Sequence, residues 1–564
     1  MGTATAKPLL FFALLSAFLC IAYLPGFGEQ YMPIDDSALI DIPQLQGPVS
    51  SASLRTIFTP GTHIDFYPFR DLSYLADIHL VRDLSSFRLQ NFFWFLGISA
   101  LVFLLLLEFS VRPNLALFVT GLWSIHPVHA EMIMWISSRR DLMALFFALA
   151  SALFYCRGEK GNQRAYLYSC FLFMCSLLSG PGFSLLPISA ATYAFLGRRS
   201  KSSFVFALTT VGFGLVSVLF RRWFYTNVND MRDFFPLTVR LYSSAAALGK
   251  MTAGWLVPSL NILDSEPQEW LAYNRIFLFP GIFLWVVGIL AGAYFFVAKR
   301  FGAAQAVLLC VILYLPTSAL SFPFRTYYSV RSFEPVALSF YLALVVTVVA
   351  KWKISRAAQN ATWFVFAFLA VATFFEGRIW ESNEAVLGRA YYARPESISV
   401  KSNYWNWLNG MIFESVPLDL RERKLNLELE LKRDCLPSPT QECIPYYQLV
   451  RSANPIARNF LEQMLSQTLP ESKKILRIRF EEAMRTGKLS TAETRGWLQS
   501  IQWNLLPIQR VYTWVSICLQ SGGFEASVYK KKMRSRSLWD ESLFEAVLRS
   551  TPLRARLREC SSGD

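Results

Sequence analysis

The sequence predicts an all-α, polytopic membrane protein, and three observations predict it. Of 564 residues, 53% are hydrophobic and only 17% charged, with a mean hydropathy of +0.33, too little polar surface to cover a water-soluble chain of this length. The apolar residues gather into stretches of roughly 15–24, about what a helix needs to cross a ~30 Å hydrocarbon core. Short basic loops recur between them: residues 157–164, Arg198-Arg199-Ser200-Lys201, Lys299-Arg300 and Lys351 to Arg356.

The first stretch, Leu9 to Leu24, follows Lys7 and leaves through Pro25-Gly26-Phe27-Gly28. No small-x-small cleavage site follows, so it reads as an anchor and not a cleaved signal. Further spans are expected near 90–108, 114–134, 141–156, 165–180, 183–197, 204–220, 275–298, 302–322, 333–350 and 361–375, about eleven in all with the first, in a transmembrane domain covering 1–375. The stretch 234–258 carries Arg240, Lys250 and Pro258, with Asp264 beyond it, and reads as re-entrant or interfacial. Alternation then puts all four basic loops on one side, which the positive-inside rule makes cytoplasmic. The N-terminus is expected in the cytoplasm, and the loop 25–90 and the region 376–564 on the outer face of what is expected to be a bacterial inner membrane.

That C-terminal region reads as a soluble helical domain, periodic near 380–393, 455–468, 472–487, 492–504, 508–520 and 538–549, without a clean internal repeat. The net charge of +15 divides between the cytoplasmic loops and this Arg/Lys-rich region. It fits topology and anionic lipid surfaces, not nucleic acid. Of nine cysteines, five lie in or at apolar spans and behave as small hydrophobes. If the C-terminal region is outside the cytoplasm, Cys435 and Cys443 can close a short disulfide loop, with Cys518 and Cys560 as a second candidate pair. No CxxC or neighbouring histidine suggests zinc, and no metal or cofactor is expected.

Candidate chemistry collects on the outer side. The loop 25–90 is long for a connector and carries Glu29, Asp35, Asp36, Asp41, Asp65, Asp71, Asp77 and Asp83. In the adjacent pair Asp35-Asp36, repulsion can raise one pKa so that it serves as a base; a helix N-cap explains the same residues. The run His126-Pro127-Val128-His129-Ala130-Glu131 leads through Trp135-Ile136-Ser137-Ser138 to Arg139-Arg140-Asp141, a polar cluster costly to hold beside a bilayer. His126 and His129 share a face if the helix continues past Pro127, and either could serve as a site residue or as a hydrogen-bonded interfacial histidine. Arg139 and Arg140 suit a phosphate or snorkel beside the cap Asp141. Arg331 at another outer mouth, and Lys250, can meet the same phosphate.

These residues, in order, resemble the membrane core of the bacterial and TMTC-type protein O-mannosyltransferases, GT-C glycosyltransferases with tetratricopeptide tails. The likeness runs through Asp35-Asp36, Phe66 to Tyr74, Asp77, Asn91, the His126–Asp141 block, Phe235 to Leu241, Leu248-Gly249-Lys250, Trp255 to Leu260, Leu315-Pro316, Arg331, and Trp380 to Pro395, covering roughly residues 8–410. The block from His126 to Asp141 is its most specific part. The resemblance implies a GT-C-like fold and a polyprenyl-phosphate sugar donor drawn from the membrane lipids. An acceptor protein or glycan hydroxyl would be deprotonated by Asp36 or Asp35, with Asp36 preferred. Arg139, Arg140, Arg331 and Lys250 would neutralise the departing phosphate, while His126, His129, Glu131 and Asp141 shape the site. The chain departs from that pattern at Ser179-Gly180-Pro181, where the family often has Ser-Lys, at Val330-Arg331-Ser332, where it has Asp-Arg-Tyr, and at Arg88 and Phe95, where it has histidines. Two readings therefore stand beside each other, a glycosyltransferase and a catalytically inactive GT-C-like scaffold in an envelope complex, bound through its C-terminal domain. A lipid flippase or transporter is a third.

Overall fold

The computed structural model describes residues 6–28, 49–59, 66–80, 84–180, 201–227, 237–257, 275–298, 333–347, 356–395, 397–410, 418–437 and 507–521, with isolated positions between them. Asp35, Arg331, Cys443 and Cys560 lie outside the described residues, as do nearly all of the expected spans 183–197 and 302–322 and of the periodic stretches at 455–468, 472–487, 492–504 and 538–549.

Every described element is a helix. In chain order they are α1 (Ala6–Tyr23), α2 (Ser51–Ile57), α3 (Pro68–Leu80), α4 (Leu84–Glu108), α5 (Pro113–Ser124), α6 (His129–Met134), α7 (Arg139–Glu159), α8 (Gln163–Ser179), α9 (Lys201–Asn227), α10 (Leu237–Leu256), α11 (Arg275–Val297), α12 (Glu334–Thr347), α13 (Arg356–Ile379), α14 (Asn383–Ala393), α15 (Ile398–Gly410), α16 (Leu418–Cys435) and α17 (Pro507–Ser521). Single 3-10 turns follow α1 (Leu24–Gly26) and precede α7 (Ile136–Ser138).

Among the described residues four helical stretches are long and apolar enough to cross a membrane: Ser85–Glu108, Ile136–Glu159, Ser203–Phe220 and Ile276–Phe295. A fifth arises if Trp363–Ile379 and Asn383–Ala393, bent by 102°, form one broken span. Phe12–Gly26 and Glu334–Val346 are apolar but shorter. The description thus supports four or five spans, against about eleven expected. Exposure fits an apolar solvent: on α13, Phe364, Phe368, Val371 and Phe375 form an outward stripe at helical spacing, a pattern that water does not favour.

One expected span and one expected interruption are corrected. Residues 114–134 do not form one helix, because α5 stops at Ser124 and α6 starts at His129, with Pro127 in the gap lacking the N–H that a continuing helix needs. Residues 237–256 are not interrupted, since Arg240 and Lys250 sit inside the unbroken α10. Cβ atoms built at Gly281 and Gly249 would meet Ala245 O at 1.7 Å and Phe277 O at 2.2 Å. That pairing of 245 with 281 and 249 with 277 runs α10 antiparallel to α11 at a distance only glycine permits.

The chain divides into two compact units: Met1–Asp36, His79–Phe220 and Phe235–Pro395 in the first, Ser37–Ile78, Arg221–Phe234 and Glu396–Asp564 in the second. The first therefore ends near 395 and not 375. The reason is local, for Arg389 of α14 reaches back to Glu376 at 2.7 Å and Trp380 packs on Trp135 at 6.4 Å.

In the first unit α7 and α8 form a hairpin whose turn contains Gly161 at φ +104°. Small polar residues pin the pair together: Ser151 Oγ donates to Ser169 O and Ser169 Oγ to Ser151 O, both at 2.8 Å, and Ser176 Oγ donates to Ala144 O at 2.8 Å. In the second unit α15 and α16 form an antiparallel hairpin, with Lys401 bonded to Asp434 at 2.8 Å and Arg423 donating to Tyr404 Oη at 2.7 Å. Burial raises the Asp434 carboxyl, and hydrogen bonds from Lys401 and Arg433 more than offset it, leaving the pKa below its ordinary value. Cys435 and Cys518 are each disulfide-bonded, while Cys20, Cys156, Cys170, Cys175 and Cys310 are free thiols.

Candidate functional site

The site is built around the helix break at 124–128. Breaking a helix leaves backbone carbonyls that need new donors. Tyr23 Oη, at the end of α1, donates to Ser124 O at 3.0 Å and His126 O at 3.1 Å. Thr373 Oγ1 of α13 donates to Ile125 O, and His129 Nε2 bonds Trp123 O at 2.8 Å. A carbonyl can only accept, so that Nε2 carries the proton.

The other face of His129 meets an acid that the sequence pattern did not single out. Glu334 is the first residue of α12; its Oε1 accepts from Trp123 Nε1 at 3.1 Å and its Oε2 stands 3.5 Å from His129 Nδ1. Both side chains are almost wholly buried, at 0% and 2% exposed. A carboxylate suits that place because the N-terminus of a helix presents partial positive charge. The signal that could have found it is an acid immediately before Pro335 at the head of an apolar helix. His126 lies flat on Trp255 of α10, with ring centroids 4.7 Å apart and planes 19° apart, and its Nδ1 accepts the Val128 N–H at 3.3 Å. Trp255 also meets His129 edge-on at 5.6 Å.

A second layer lies where the chain turns into α7. Asp36, wholly buried, accepts the backbone N–H of Ser137 on Oδ1 and that of Met32 on Oδ2, both at 2.9 Å. The segment that holds Met32 and Asp36 thus meets the Ile136–Ser138 turn through a carboxylate at the head of α7. Asn91 of α4 donates to Ile133 O at 3.1 Å and Trp135 O at 3.2 Å and accepts from Arg139 Nε at 2.8 Å. Arg139 also donates to Phe87 O at 2.6 Å. With no exposed surface, Arg139 holds α7 against α4. Arg88 points the other way, donating to Gly26 O, Gly28 O and Trp380 O at 3.0, 2.7 and 3.3 Å.

The remaining candidates are placed separately. Arg140 retains 29% exposure beside Asp141 at 3.6 Å. Glu131 is half-buried in the first turn of α6, and Lys250 is buried on α10. In the second unit the buried Arg70 directs both Nε and Nη2 at Asp71 Oδ1, at 2.9 and 2.7 Å, and lies over Tyr67 and Tyr74. At Gly180 a Cβ would stand 2.7 Å from Arg140 O and 3.0 Å from Ala144 Cβ; a side chain there must push α8 from α7. Among the described residues no three His, Cys, Asp or Glu side chains converge to hold a metal ion.

No protein-family model and no curated protein matches the chain.

Proposed function

We propose that the chain is a membrane glycosyltransferase that moves a sugar from a polyprenyl-phosphate donor to an acceptor hydroxyl, a protein Ser or Thr, on the extracytoplasmic face of a bacterial inner membrane. The observation that carries this reading is the meeting of Asp36 with Ser137, which sets the carboxylate of the first outer loop against the turn bearing Arg140. In the reaction the acceptor hydroxyl gives its proton to Asp36 and its oxygen bonds the anomeric carbon. The bond from that carbon to the phosphate oxygen breaks, and the lipid phosphate leaves with the electron pair. The partly exposed Arg140 stabilises that anion better than the enclosed Arg139, with Lys250 and Arg331 as further cations. The disulfides of Cys435 and Cys518 support an oxidising compartment for the C-terminal region.

The test is sugar transfer from a labelled polyprenyl-phosphate hexose in membrane vesicles holding the full chain. Asp36→Asn is expected to lower transfer by about 10²–10⁴-fold, the usual worth of a positioned general base. Because Asn accepts on one atom only, one of the two N–H groups is left unpaired, at about 1–3 kcal/mol of stability. Arg140→Gln separates the effects: transfer falls while the melting temperature holds. Full transfer by folded Asp36→Asn protein overturns the enzyme reading.

A second reading, an inactive GT-C-like scaffold, is favoured by the internal partners of Asp36, Arg139 and His129 and by the closed space at Gly180. Its expected signature is a stoichiometric envelope partner held through the C-terminal unit, bound equally by Asp36→Asn protein.

A further inference from the structure

Among the buried groups, two ring nitrogens near the helix break remain without a hydrogen bond: the acceptor His129 Nδ1 and the donor Trp255 Nε1 are each shielded from solvent and make none. Glu334 Oε2 stands 3.5 Å from the first, a separation that exceeds a good hydrogen bond. Unmet polar atoms in a dry interior cost free energy, so native structures seldom keep them unless they serve a ligand.

The surroundings specify what such a ligand offers. His129 supplies a ring nitrogen that donates or accepts according to charge, Trp255 an N–H that only donates, and Glu334 an oxygen that only accepts. Two neighbouring hydroxyls, each donor and acceptor at once, satisfy all three: one donates to His129 Nδ1, and the other donates to Glu334 and accepts from Trp255. Trp255 also carries a broad apolar ring, stacked on one face by His126, and both residues keep partial exposure. A polar-edged, apolar-faced platform beside an acid and an imidazole is chemistry for a pyranose, whose C–H face packs on an indole while its hydroxyls bond the rim.

We propose that His129, Trp255 and Glu334 form the subsite for the sugar of the lipid-linked donor, distinct from the cations that take its phosphate. This rests on the transferase reading above and names the groups that recognise the transferred residue. Trp123 is its positioning residue, since its indole N–H fixes the Glu334 carboxylate that faces His129.

The experiment uses the detergent-solubilised full chain and two probes, a short-chain polyprenyl-phosphate hexose and the bare polyprenyl phosphate, titrated by tryptophan fluorescence and by competition. Wild-type protein is expected to prefer the sugar-bearing lipid by about tenfold, the worth of one or two hydroxyl hydrogen bonds. Glu334→Gln, which keeps the acceptor for Trp123, and Trp255→Phe, which keeps the ring but not the N–H, should each remove most of that preference with bare-lipid affinity unchanged. Equal binding of both lipids by wild-type protein, or full preference in both folded variants, overturns the subsite and leaves phosphate binding standing. Binding of neither lipid overturns the transferase reading and the subsite with it.

Discussion

Two adjacent arginines carry opposite assignments. Arg139 is enclosed and gives its donors to Asn91 and Phe87 O, whereas Arg140 keeps 29% exposure. Replacing Arg139 by Met is expected to destabilise by roughly 1–3 kcal/mol, since Asn91 Oδ1 and the Phe87 carbonyl lose their donor in a buried place. Arg140→Met, at a partly exposed side chain, should cost less than Arg139→Met. Thermal melts of the two variants measure the contrast, and equal losses would refute it. The polar run itself was legible because charges beside apolar spans are conspicuous. Which arginine is structural was not, since that depends on Asn91, 48 positions away. Glu334 escaped for the same reason: its partners Trp123 and His129 are more than 200 residues distant in the chain, and no local pattern announces them. The departure at Phe95 gains a physical meaning, because its ring lies 5.1 Å from His129 and 5.4 Å from Trp123, walling the cluster with an apolar group.

At the scale of helices, hydrophobic length located the long spans well, since Ser85–Glu108, Ile136–Glu159, Ser203–Phe220 and Ile276–Phe295 fall at or beside expected segments. It failed where charge and proline mislead. Arg240 and Lys250 suggested a broken segment, yet a helix interior tolerates both as good formers, and α10 stays whole against α11. The contact makes a sharp expectation. Gly281→Ala places a methyl 1.7 Å from Ala245 O, so the helices must separate at a cost of about 1–3 kcal/mol. Gly288→Ala on the same helix meets nothing within 4 Å and should be neutral or stabilising by a few tenths of a kcal/mol, up to about 1. Matching melting temperatures for the two variants would rule out the close crossing.

For the molecule as a whole, the side assigned to the C-terminal unit first rested on counting alternate spans, and the break in 114–134 disturbs that count. The bonded state of Cys435 and Cys518 is an independent argument, because such bonds persist outside the cytoplasm. A phosphatase fused after residue 400 is expected to be active and a cytoplasmic reporter there inactive. Thiol alkylation of denatured, unreduced protein should label the five free cysteines and spare Cys435 and Cys518 until reductant is added. An active cytoplasmic reporter with alkylated Cys435 would reverse the orientation. Residues up to Pro395 group with the first unit and Ser37–Ile78 with the second; composition alone does not reveal which segments share a core.

The helix break has a bearing on synthesis. Its carbonyls take donors from Tyr23, made before it, and from Thr373, which lies 248 residues beyond Ile125. A chain still emerging from the ribosome therefore carries the Ile125 carbonyl without that donor until α13 arrives, so the break is locked late in the synthesis of the first unit. Fragments ending before Thr373 leave an open backbone beside the bilayer and are natural targets for membrane quality control.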